Sequence, residues 1–73
     1  MNQSAINERI SQLTDRLQQG ERGHSLVPLL VDLATKLETS DNPRWHDDAR
    51  RIRSGIQSIH RGGQYGGFVP NPV

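Results

Sequence analysis

The chain has 73 residues, with nine lysines and arginines against eight aspartates and glutamates, for a formal charge of +1. Its apolar share of 32% is below the roughly 45–50%, counted with glycine, of ordinary globular domains. This length allows one domain, and the near-neutral charge gives no overall pull toward nucleic acid. With no cysteine, thiol chemistry and disulfide stapling are excluded, and a reducing compartment, the cytoplasm, is the expected location. Met-Asn-Gln-Ser-Ala has neither a basic start nor an apolar stretch, so no signal peptide is expected. The longest apolar run of the second helix, Leu29-Leu30-Val31, is stopped by Asp32, and no membrane span is expected.

Three segments carry helical periodicity. In the first, Ile6, Ile10, Leu13 and Leu17 fall at a 4-3-4 spacing, a narrow apolar seam on an otherwise polar helix. Ser4 is a candidate cap and Gly20 a candidate stop, which predicts a helix over about 5–19. Residues 20–25 hold two glycines and read as a loop. Ser25 is the expected cap of a second helix over 26–38, with Pro28 tolerated in its first turn. On that helix Leu26, Leu29, Leu30, Leu33, Ala34 and Leu37 share a face that Val27 and Val31 widen on one flank. Such a broad face needs two neighbours to cover it.

Asn42 and Pro43 mark the start of a third helix running to about His60, with Trp45, Ala49, Ile52, Ile56 and Ile59 as its seam. Gly62-Gly63 ends it. The expected fold is therefore all-α: a small antiparallel three-helix bundle, or a helical hairpin plus a third helix, over residues 1–63. The second helix lies in the middle. Residues 64–73 follow as an extended glycine- and proline-rich tail. With so few core positions in so short a chain, self-association into a homo-oligomer or binding to a partner is expected.

The charge is unevenly placed. Residues 1–42 hold four cations and six acids, whereas residues 43–73 hold five arginines and two acids. Within the third helix, His46, Arg50, Arg53, Gln57 and His60 recur at 4-3-4-3 spacing beside the apolar seam, a stripe about 20 Å long with no acid in it. It could meet an acidic protein surface or phosphates. A solvated helix face, or a flank paired with Glu8 and Asp15 of the first helix, is the plainer reading. In the tail, Tyr65, Phe68 and Val69 stand among glycines and prolines and could lie in a groove of a partner. Two of the chain's three aromatics are there, although a self-docked or disordered terminus would look the same.

Neither catalysis nor metal or cofactor binding is expected. His46, Asp47 and Asp48 are consecutive and point about 100° apart, and His46 and His60 lie about 21 Å apart along one helix. No phosphate-binding glycine loop follows a strand, and no histidine pair stands four residues apart on a helix. The order helix, short turn, helix suggests a DNA reader, but Glu38 stands where the turn wants glycine, and Asp47 and Asp48 would face the duplex. The expected function is a protein-interaction module, such as an adaptor, inhibitor or accessory subunit. It would bind a larger protein, for which an acidic surface would be suited, through the third helix and the tail. The alternative is a nucleic-acid-associated regulator that contacts phosphates through the cationic stripe.

Overall fold

The computed structural model describes residues 3–72. Val73, the last residue of the expected tail, and the first two residues lie outside them. Three helices follow in order: α1, Gln3–Gln18; α2, Val27–Glu38; and α3, Pro43–His60. A short 3₁₀ turn, His24–Leu26, leads into α2. Among the described residues no strand occurs, and no helix is long and apolar enough to cross a membrane.

Each helix forms where its apolar spacing places a face on the core. Ile6, Ile10, Leu13 and Leu17 are buried on α1; Leu29, Leu30, Leu33, Ala34 and Leu37 on α2; Trp45, Ala49, Ile52, Ile56 and Ile59 on α3. Both flanking helices pack on α2, which is the centre of the fold. Arg53 reaches Glu38 at the end of α2, while His60 lies beside His24 at its start, so α3 runs antiparallel to α2. Two Schellman closures end α1 and α3: Glu21 N–H bonds Arg16 C=O, and Gly63 N–H bonds Ser58 C=O. Gly20 and Gly62 supply the positive φ (89° and 91°) that this turn requires.

The caps divide. Asn42 performs as expected, its side chain accepting the Arg44 N–H at 3.0 Å ahead of Pro43. Ser4 lies inside α1, which already begins at Gln3. Ser25 does not cap α2, because residues 24–26 are already wound into the 3₁₀ turn and Leu26 N–H bonds Gly23 C=O at 3.0 Å. The chain thus enters α2 through a tighter helix rather than through a side-chain cap. Val31, expected on the apolar flank, is 39% exposed, whereas Val27 is half-buried against the core.

The tail completes the core. Tyr65 is 3% exposed and Pro70 is fully buried, while Phe68 and Val69 pack partly buried on the same cluster. Tyr65 N–H bonds Arg22 C=O at 2.8 Å, and Trp45 Nε1 donates to Asn71 C=O at 3.3 Å. The tail therefore ties the loop after α1 to the face of α3. The Cδ1–Cε1 edge of the Tyr65 ring comes against α3 where Gly55 has no side chain: a Cβ there would sit 2.3 Å from the ring. Alanine at position 55 should favour the isolated helix by about 1 kcal/mol. Gly55→Ala is nevertheless expected to lower the melting temperature and release the tail, read as faster proteolysis after Tyr65. A variant more stable than the parent, with the tail still protected, would contradict this packing.

Candidate functional site

The outer face of α3 is exposed along its length, with Arg44, His46, Arg50, Arg51, Arg53, Gln57, His60 and Arg61 all on the surface. The five stripe residues do share one side of the helix, but they do not form a uniform free ridge. Arg53 forks onto Glu38 of α2, Nε to Oε2 and Nη2 to Oε1 both at 2.8 Å. That fork lowers the Glu38 carboxyl below its ordinary range and raises the guanidinium. The neutralising acid thus comes from α2, not from Glu8 or Asp15 of α1, because α3 packs on α2. His46 donates from Nε2 to Ser40 C=O at 2.5 Å, since a carbonyl can only accept. Gln57 accepts a 3.3 Å bond from Arg61, and the His60 ring stands 6.0 Å from that of His24.

Arg50 is different. It is exposed and makes no ion pair or hydrogen bond among the described residues. Arg44, Arg51 and Arg61 likewise have no carboxylate partner there. Arg51 instead places its guanidinium 5.2 Å from the Phe68 ring centroid, a cation–π contact that fixes it beside the tail. Two further acids outside α3 are engaged by cations that also lie outside it. Asp32 takes Arg9 at 3.0 Å and Lys36 at 2.6 Å, and Glu21 takes Arg16. The hydrogen bond from Lys36, foremost, holds the Asp32 carboxyl below the usual range. Of the arginines without a carboxylate partner among the described residues, all but Arg22 lie on α3 or just beyond it.

Of the tail residues, Tyr65 turns inward and its hydroxyl donates to Phe68 C=O at 2.7 Å, closing the tail on itself. The expected contact of its ring with a partner is made within the chain, because the notch at Gly55 admits it. Phe68 and Val69 keep part of their surface open. The stripe spacing alone does not reveal Arg51, Arg61, Glu38 or Gly55. Of these only Gly55 left a local signal, as a lone glycine inside a helical pattern.

Two shallow clefts lie elsewhere. One of about 330 Å³ is lined by Gln3 and Thr39–Asn42, and one of about 340 Å³ by Thr14, Leu17, Gln18, Arg22, Gly66, Gly67 and Val69. Each holds a single ionisable side chain, Asp41 or Arg22. Among the described residues no three histidines, aspartates or glutamates gather as metal ligands.

Two measurements test this geometry. Burial pushes the Tyr65 hydroxyl up from 10.0 to about 12. A raised folded value means that this contribution to stability is whole below pH 10 and is lost as the pH rises through about 12. Phenolate absorbance should therefore appear late, and tail release should accompany it; titration near 10 would show a solvated ring. Arg53→Ala should cost less than about 1 kcal/mol in chemical unfolding, because both partners of its ion pair are 44% exposed. A larger loss would make the pair a structural brace.

The chain matches no protein-family model, no curated protein sequence and no solved structure. The geometry of α3 and its neighbours is thus the ground on which a functional reading stands.

Proposed function

We propose that this protein is an interaction module that docks on an acidic surface of a larger protein through the exposed face of α3. The observation that carries the reading is the segregation of charge. Arg44, Arg50, Arg51 and Arg61 are exposed on or just beyond one helix with no carboxylate partner among the described residues, while of the four cations before α3 three, Arg9, Arg16 and Lys36, are paired and the half-buried Arg22 is not. Guanidinium groups present planar forks that suit carboxylates, and they give up their water more readily than ammonium groups. Arg50 and Arg61 lie 11 residues apart, about 16 Å along the axis, with Ser54 and Gln57 between them as hydrogen-bonding groups. The tail acts as a buttress, holding Arg51 beside Phe68. Deleting it would remove Tyr65 and Pro70 from the core, so truncation is a poor test of binding.

A second reading, contact with nucleic-acid phosphates, is favoured by one observation. Val31 is the one large apolar side chain left exposed among the described residues, so the aromatic or aliphatic anchors of many protein interfaces are scarce. Against it, the sequence isoelectric point of about 8.4 falls short of the value above about 9 usual for such domains.

Affinity capture from the native host, with the parent and with the double variant Arg50→Glu/Arg61→Glu, tests both readings. The parent should retain an acidic protein that the variant loses, and intact-complex mass should give the stoichiometry. Capture of the same protein by both would end the first reading. Binding of a mixed-sequence duplex that weakens steeply with salt, and that the double variant loses, would install the second.

A further inference from the structure

The fold brings together two histidines that lie 36 positions apart in the chain. His24 belongs to the 3₁₀ turn ahead of α2 and His60 to the last turn of α3; their ring centroids are 6.0 Å apart at an interplanar angle of 57°. Both side chains are exposed, and neither ring makes a hydrogen bond among the described residues. Their nitrogens are therefore free for an external ligand, unlike His46, which is bound to Ser40 C=O.

We infer that His24 and His60 form a two-imidazole site for a first-row divalent metal ion, zinc fitting best. The geometry carries this. With metal–nitrogen bonds of about 2.0–2.1 Å, two imidazoles on one ion place their ring centroids about 5.2 Å apart at a tetrahedral angle and about 6.4 Å apart when opposed. The observed 6.0 Å lies between these values. Both side chains are exposed, and turning one nitrogen of each ring toward a common point gives the tetrahedral arrangement that zinc prefers, whereas a right-angled pair would need centroids about 4.5 Å apart. Water completes the shell, as no acidic side chain gathers with the two rings into a larger ligand set among the described residues. The position also suits a cation, because the last turn of α3 is the negative end of its dipole. Arg61, the adjoining positive charge, is turned toward Gln57. Bound metal would tie the start of α2 to the end of α3, so binding stabilises the fold by an amount that grows with the logarithm of free metal above its dissociation constant. Imidazole ligands select zinc, nickel and copper over magnesium.

The test is calorimetric titration of the full chain with zinc chloride, with thermal unfolding followed in parallel. One zinc should bind per chain, and excess zinc should raise the midpoint by roughly 4–8 °C, while magnesium leaves it unchanged. His24→Phe keeps a ring in contact with His60 but removes the nitrogens, and it should abolish the effect; His60→Gln should do the same. His46→Ala should bind zinc as the parent does. All three positions are exposed, and helical circular dichroism without metal should match the parent. No zinc binding by the parent, undiminished binding by His24→Phe, or one zinc shared between two chains would each overturn the proposal.

Discussion

Leu26, Leu30, Leu33, Ala34 and Leu37 give the α2 region an apolar face too wide for one neighbouring helix to cover. Each of these side chains is fully buried, so water has been removed from both sides of the face. The rest of the molecule follows from that requirement. The seams of α1 and α3 are narrow because each has only to meet one flank of α2. Their outer faces are thereby left free for polar and charged residues. The hydrophobic effect has no directional preference; here the direction comes from the spacing of the leucines and from the short turns that return the chain.

A chain with so few apolar residues closes its core by using the tail as a fourth layer. Tyr65 and Pro70 come from a segment that is neither helix nor strand, yet both are buried with the helical residues. The hydroxyl of a buried tyrosine needs an acceptor, and the tail supplies its own, the carbonyl of Phe68. Trp45 receives the same treatment, its indole N–H reaching the Asn71 carbonyl. Gly55 makes this possible. A glycine in a helix interior costs about 1 kcal/mol relative to alanine, and here it is offset by the approach of an aromatic ring that no other residue would admit.

Packing also decides which charges remain free. Because α2 lies between α1 and α3, its acids are shared with both. Asp32 is engaged by Arg9 and by its own Lys36, and Glu38 is engaged by Arg53. The arginines that point away from α2 meet no carboxylate. The exposed face of α3 thus owes its charge to composition and its availability to topology.

Amphipathic spacing, together with Gly20, Asn42-Pro43 and Gly62-Gly63, was enough to determine three helices, their approximate limits and the central place of α2. Periodicity reports which side of a helix is apolar, and the stop signals act through local backbone geometry, so both are written into neighbouring residues. The entry into α2 was not legible, since Ser25 offers a plausible cap and only the tertiary path shows residues 24–26 already wound. Nor was the fate of Arg53, Tyr65 or His60. Each acquires its environment from a residue distant along the chain: Glu38 for Arg53, Gly55 and Arg22 for Tyr65, and His24 for His60. Contacts at such separations depend on how helices cross and where a tail lies, and the spacing of residues along one helix carries no information about either.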